Sequence, residues 1–244
     1  MTIESTDSPG FRPLYRQVHD LLRRRIAQGH WRPDDPLPSE GRLAVELGVS
    51  QGTVRKALDD LARENLVVRR QGRGTFVAAH SVERSLFHFF MLCGDEGERR
   101  LPTSRLLDCR RGLAGEAERA RLGLPEGASV LRIDRLRLLG ERPAIVERVV
   151  LPAALFPDLG NGGEAIPNTL YDLYQRRFGV TVARATERLK AVAATSDEAE
   201  QLSVVPGAPL LEIDRLALDL DGRPVEWRLS RCLTDEVHYA SVLE

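Results

Sequence analysis

Leu37-Pro-Ser-Glu-Gly-Arg-Leu-Ala-Val-Glu-Leu-Gly-Val-Ser-Gln-Gly-Thr-Val-Arg-Lys-Ala-Leu58 reads as helix, tight turn, helix. Ser39 is placed to cap the first helix, after which Leu43, Ala44 and Leu47 share one face. Gly48 suits the left-handed position that ends a helix. Ser50 is a second cap, and the helix it opens buries a stripe of Val54, Leu58 and Leu61. Gln51, Thr53, Arg55 and Lys56 fall away from that stripe. A capped helix start carrying these residues suits the DNA major groove. Glutamine pairs with adenine, arginine reaches guanine or phosphate, and threonine meets a thymine methyl or a phosphate.

The flanking sequence extends this reading. Leu66-Val-Val-Arg-Arg-Gln-Gly-Arg-Gly-Thr-Phe-Val77 is a short apolar run, a basic turn and a second short strand. It predicts a β-hairpin wing with Arg69, Arg70 and Arg73 near its tip, where Gly72 and Gly74 let the backbone turn tightly. Upstream, Val18, Leu21, Leu22 and Ile26 recur at helical spacing, so a first helix over 15–27 packs on the other two. The DNA-facing set is therefore Ser39, Arg42, Ser50, Gln51, Gly52, Thr53, Arg55, Lys56, Arg70, Gln71, Gly72 and Arg73.

The charge distribution agrees. The chain of 244 residues has a net charge of −1 and 42% hydrophobic residues, enough for two domains with real cores. Residues 11–75 carry 13 Lys and Arg against 8 Asp and Glu, whereas residues 76–244 carry 22 against 26. A basic head on an acidic body is what a DNA reader with a separate regulatory domain shows.

Other classes of function find little support. Cys93, Cys109 and Cys232 have no paired spacing, which fits buried thiols in a reducing compartment better than a disulfide framework or a zinc site. His19, His30, His80, His88 and His238 have no metal-ligand spacing, so no metal and no cofactor is expected. No leader and no bilayer-length apolar run is read, so the expected location is the cytoplasm, with no membrane partner. Residues 1–10 are polar and read as disordered, and the small, polar stretch 78–85 reads as a linker between domains 11–77 and 86–244. Phe87, Phe89 and Phe90 read as a half-buried strand.

The second domain contains an internal repeat. Leu124-Pro-Glu-Gly-Ala-Ser-Val-Leu-Arg-Ile-Asp-Arg-Leu-Arg-Leu138 resembles Val205-Pro-Gly-Ala-Pro-Leu-Leu-Glu-Ile-Asp-Arg-Leu-Ala-Leu218. Each copy follows an acidic helical segment and precedes a turn and another strand: Glu141-Arg-Pro143 leads into 144–151, and Asp221-Gly-Arg-Pro224 into 225–233. The expectation is an α+β domain whose antiparallel sheet carries helices on one side, with a further helix over 169–178 that stops at Gly179. On the first repeat strand Leu131, Ile133, Arg135 and Arg137 share a face. An apolar row running into two arginines suits a carboxylate or phosphate in a partly dry cleft. The second copy keeps Arg215 but has Ala217 in place of Arg137.

These motifs carry a resemblance. Pro13-Leu-Tyr15, Leu37-Pro-Ser-Glu40, Leu47-Gly-Val-Ser50, Thr53-Val-Arg-Lys-Ala-Leu58 and Gly72-Arg-Gly-Thr-Phe-Val77 resemble the winged helix-turn-helix of the GntR family of bacterial transcription regulators. Pro102-Thr-Ser-Arg105, Leu122-Gly-Leu-Pro-Glu-Gly127, Arg135-Leu-Arg137, Leu151-Pro-Ala-Ala-Leu-Phe-Pro157 and Gly222-Arg-Pro-Val-Glu226 resemble the UTRA effector domain of its HutC branch, whose fold is similar to chorismate lyase. The resemblance implies a homodimer on a palindromic double-stranded operator, most often a repressor, controlled by a small acidic metabolite. It places Arg135, Arg137, Glu147, Thr169, Tyr171 and Glu226 around the effector. Gln51-Gly52 stands where many relatives carry Arg-Thr, and Cys232-Leu-Thr-Asp235 where they often carry an aromatic followed by Arg-Gly-Asp.

Two alternatives remain. An architectural DNA binder would tie Arg135 and Arg137 to Glu147 or Glu226 as structural ion pairs. A lyase-like enzyme fused to the head would turn over its ligand, but no Gly-x-Ser-x-Gly elbow, P-loop or Cys–His cluster is present, so no catalytic residue is assigned.

Overall fold

The computed structural model describes residues 12–79, 91–94, 102–161 and 165–241. Residues 1–10, Phe87, Phe89, Phe90 and residues 80–85 of the expected linker lie outside them. The chain divides into two units, Met1–Ala79 and His80–Glu244.

The first unit contains α1 (Leu14–Ala27), α2 (Glu40–Leu47), α3 (Gln51–Arg63), β1 (Val67–Arg70) and β2 (Gly74–Val77). The local chemistry of the quoted stretch acts as the sequence predicts. The Ser39 hydroxyl accepts from the Arg42 amide, Gly48 ends α2 at φ 63°, and the Ser50 hydroxyl accepts from the Thr53 amide. Each serine satisfies a helix donor that has no intrahelical acceptor. The amphipathic faces then close on one another: Val18, Leu22 and Ile26 of α1, Leu43 of α2, and Val54, Ala57, Leu58 and Leu61 of α3 are all buried. β1 and β2 pair antiparallel from Val67↔Val77 to Arg70↔Gly74. Gly72, at φ 68°, carries the chain through the intervening turn.

The second unit is built on a six-stranded sheet. Its strands are β4 (Thr103–Leu113), β5 (Ser129–Leu139), β6 (Arg142–Pro152), β7 (Arg184–Ala193), β8 (Pro209–Leu218) and β9 (Pro224–Cys232). The order is β4-β5-β6-β9-β8-β7, and every neighbouring pair is antiparallel. Helices α4 (Glu116–Leu122), α5 (Leu170–Phe178) and α6 (Ser196–Leu202) complete it, with a separate small sheet of β3 (Leu92–Gly94) and β10 (Val237–Tyr239). The repeat is therefore longer than the sequence reading. β4-α4-β5-β6 and β7-α6-β8-β9 are equivalent units that meet where β6 pairs with β9. Both carry a register shift at the same place, after Arg137 in one and after Ala217 in the other.

Helices cover both faces of the sheet, not the single face expected. Leu122 of α4 packs with Val130 and Val150, and Ala199 and Leu202 of α6 pack with Leu136 and Leu210. Leu170, Tyr171 and Tyr174 of α5 pack instead with Leu131, Ile133, Val149 and Ala217. The physical reason is alternation. Leu131 and Ile133 point opposite to Val130 and Leu136, so both faces of β5 are apolar and both need a cover. The face under α5 is the one that bears the arginines.

Candidate functional site

In the first unit, the exposed start of α3 forms a polar cluster around one carboxylate. Glu40, in the first turn of α2, accepts from Gln51 Nε2 at 3.4 Å and from Arg55 Nε at 3.0 Å. Arg69 of β1 joins it at 3.3 Å and also reaches Asp59 at 2.7 Å. Because Glu40 uses only the Nε of Arg55, the outer edge of that guanidinium still faces solvent, and the side chain is 57% exposed. Lys56 Nζ lies 4.4 Å from the centre of the Tyr15 ring, a cation–π contact that ties α3 to α1. On the wing, Arg70 pairs with Asp34 at 3.0 Å and stacks on Phe76. Arg42, Gln71, Gly72 and Arg73 are exposed, as is Gly52, where an added Cβ would come to 3.9 Å from Ser50 Oγ. All the side chains assigned to DNA on the sequence thus lie on α2, α3, the hairpin or their caps. Sequence reasoning missed Glu40 and Tyr15 as their anchors. Glu40 sits three residues after the leucine that opens the quoted stretch, but only the fold shows that it meets α3.

In the second unit, a cavity of about 70 Å³ opens at the arginine end of β5. Arg137, Glu147, Thr169 and Tyr171 line it; Arg135 and Glu226 stand behind the lining. Arg215, Arg228, Ser230 and Tyr239 line it as well, against an apolar wall of Leu92, Ile145 and Ile213. The sequence reading missed this second group, although the repeat offered a signal for Arg215, which matches Arg135.

The cavity is wired by ion pairs among largely buried side chains. Glu147, 2% exposed in its side chain, accepts from Arg135 Nε at 2.6 Å and from Arg137 at 3.4 Å. Its other oxygen faces the Ser230 hydroxyl at 3.5 Å and Arg228 at 3.7 Å. Arg135 is 1% exposed and also donates to the carbonyls of Pro167 and Asn168. Arg228 grips both oxygens of Glu226, at 3.0 and 2.8 Å. The Tyr171 and Tyr174 hydroxyls donate to the same carboxylate at 3.1 and 2.7 Å, which locks α5 to β9. Arg215 pairs with Glu187 at 2.5 Å, and the Tyr239 hydroxyl donates to Glu187 too.

Arg137 is served least. It shares Glu147 with Arg135, reaches the Pro102 carbonyl at 3.3 Å and Asn168 Oδ1 at 3.5 Å, and its buried Nε has no partner among the described residues. Burial, and then the neighbouring charges of Arg135 and Arg228, pull its pKa down to about 10 despite Glu147. Burial by itself would raise the Glu147 carboxyl, but Arg135, Arg137 and Arg228 outweigh it and hold that group well below the ordinary carboxylate range. Burial and Glu226 push the Tyr171 hydroxyl up to about 12, so it stays a donor. Thr169 precedes α5 and makes no side-chain cap, so the first-turn amides of α5 add positive potential beside Arg137. A buried, under-neutralised guanidinium at a helix N-terminus is chemistry for an anion. Among the described residues no cluster of side chains fit to hold a metal ion is present, and no helix is long and apolar enough to cross a membrane.

Comparison with known proteins gives matches over nearly the whole chain. Residues 14–77 match the model for bacterial regulatory proteins of the gntR family, and residues 97–238 match the UTRA domain. The HTH-type transcriptional repressor NagR of Bacillus subtilis is 34% identical, over 93% of this chain and 94% of its own length. The mannosyl-D-glycerate transport/metabolism system repressor MngR of Escherichia coli is 28% identical, over 96% and 98%. Among solved structures, the ligand-binding domain of a GntR-family regulator from Bordetella bronchiseptica is 36% identical with a TM-score of 0.61, over 65% of this chain and 99% of that one. PhnF from Mycobacterium smegmatis is 26% identical with a TM-score of 0.54, over 93% and 99%.

Proposed function

Since the chain belongs to the GntR family of bacterial regulatory proteins and carries a UTRA domain, we propose that it is a repressor whose hold on its operator is set by a small acidic effector. The observation that carries this reading is the exposed first turn of α3, capped by Ser50 and bearing Gln51 and Arg55. The relatives named as repressors support the sign of regulation. In this reading two copies present two α3 helices to a palindromic site in the cytoplasm. The hairpin tip, Arg70 to Arg73, meets the flanking phosphates. The effector enters the cavity of the second unit, with its acidic group on Arg137.

The mechanism is a shift between two arrangements of the dimer that space the reading helices differently. Coupling of this kind is worth about 1–3 kcal/mol and acts in both directions, so operator DNA changes effector affinity by the same factor. An architectural protein without effector is the second reading. It draws on the internal pairing of Arg135, Arg215 and Arg228. The under-served Arg137 argues against it.

The test is fluorescence anisotropy with labelled DNA from upstream of this protein's own gene, against scrambled DNA of equal length. Tight binding to the native fragment, lost when small acids are added, supports the proposal. Equal, weak, salt-sensitive binding to both fragments overturns it in favour of the architectural reading.

A further inference from the structure

The donors and acceptors of the cavity restrict what can occupy it. Among the described residues Arg135, Arg137, Arg215 and Arg228 face three carboxylates, the buried Glu147 and Glu226 and the half-buried Glu187. The cluster therefore holds one positive charge in excess, and that charge falls on Arg137, with its unpartnered Nε.

The carboxylate acceptors, by contrast, are already engaged. One oxygen of Glu147 is taken by Arg135 and Arg137, and the other faces Ser230 and Arg228. Glu226 is held at both oxygens by Arg228, Tyr171 and Tyr174, and Glu187 by Arg215 and Tyr239. Asn168 Oδ1 accepts from Ser104 at 2.7 Å and from Arg137. A sugar ring needs several acceptors for its hydroxyl protons, more than the lining hydroxyls of Thr169 and Ser230 supply, and burying those protons unpaired is costly. A phosphate monoester carries close to two negative charges at neutral pH, one more than the excess available in this cluster. What the cavity offers beyond Arg137 and the Thr169 and Ser230 hydroxyls is the apolar wall of Leu92, Ile145 and Ile213, in a space of about 70 Å³.

We infer that the effector is a small monocarboxylic acid with an apolar body, its carboxylate on Arg137 and its body against Leu92, Ile145 and Ile213, rather than a sugar or sugar phosphate. The inference rests on the reading of this cavity as the effector site.

The test is direct binding to the full chain, by calorimetry and by thermal shift, with hexanoate, benzoate and phenylacetate against a hexose phosphate, free hexose and inorganic phosphate. At least one carboxylate is expected to bind saturably at millimolar concentration or below, and more tightly than any phosphate or sugar. Arg137→Gln, which removes an unneutralised charge and so leaves folding intact, is expected to weaken that binding about tenfold or more. Arg137→Lys keeps the charge without the guanidinium geometry and is expected to fall between. Ile213→Thr is expected to weaken the carboxylates alone.

Tighter binding of a hexose phosphate or free hexose, no binding by any of the carboxylates, or carboxylate binding indifferent to Arg137 would each overturn the inference. Operator release is scored separately. A carboxylate that binds through Arg137 without moving operator affinity leaves the ligand class standing and defeats the regulatory reading. A hexose phosphate that binds and releases the operator does the reverse.

Discussion

The two units of this chain use the same pair of residue types, arginine and glutamate, under opposite physical conditions. In the first unit Arg55, Arg69 and Gln51 converge on Glu40 at a wet surface, with the Arg55 side chain 57% exposed. In the second, Arg135 and Arg137 converge on Glu147 with side-chain exposures of 1%, 6% and 2%. Water screens the first cluster, so its ion pairs add little to stability, and their value is to hold side chains in reach of a ligand. The second cluster has given up its hydration, so each charge depends on its partners, and an unbalanced one raises the energy of the fold. In the proposed reading the first is poised to bind phosphates while losing little, and the second stores an imbalance that an incoming anion relieves.

The sharpest way to break this contrast is to remove each hub carboxylate. Glu147→Gln should cost about 3–5 kcal/mol of unfolding free energy, because it strands buried guanidiniums. Urea unfolding of the full chain measures it, and a cost near that of an ordinary surface change would mean that water reaches the cluster. Arg55→Ala should leave stability within about 0.5 kcal/mol and weaken operator binding by about 1–3 kcal/mol, read by anisotropy. Undiminished affinity would remove Arg55 from the interface.

Arg137→Met removes the excess charge and should raise the stability of the second unit by about 1 kcal/mol at neutral pH while abolishing the response to acids. A loss of stability would show that Glu147 needs all three of its arginines. Glu40→Gln is the mildest change. It should cost no more than about 1 kcal/mol in stability. It frees Arg55, Gln51 and Arg69 to move, so discrimination between specific and scrambled DNA should fall further than affinity for scrambled DNA.

Acid titration gives a second measure of the buried hub. The Glu147 carboxyl is depressed in the folded protein, so its contribution is fully present above the pKa of an unfolded glutamate, about 4.3. It is lost as pH falls below that value toward the folded one. The wild type should therefore lose stability below about pH 4 more steeply than Glu147→Gln. Parallel curves would indicate that Glu147 is not the carboxylate that the acid reaches.

Much of the first unit is legible because its instructions are local. Ser39 and Ser50 cap helices within three residues of themselves, and the Val54, Leu58 and Leu61 stripe declares its own period. The strands β5, β6, β8 and β9 are legible for the same reason, through alternation and turns. β4 and β7 are not. They are the edge strands, exposed on both faces along most of their length, and a strand with no buried side has no period to read. The helix α5 is legible as a helix from its stop at Gly179, whereas the face of the sheet it covers is not.

The sequence by itself determined that this chain is a helix-turn-helix head followed by a repeated α+β body, and that Arg135 and Arg137 share one face of one strand. Capping, helical period and strand alternation each act over a few residues, so the linear order contains them. Only the tertiary structure decided that these two arginines differ. Glu147 and the Pro167 and Asn168 carbonyls claim Arg135, while Arg137 shares Glu147, lines the cavity and keeps a buried Nε without a partner among the described residues. It also brought Arg215 and Arg228 into the same wall, from strands far along the chain. Charge balance in a buried site is set by what three dimensions place side by side, and no local pattern encodes that sum.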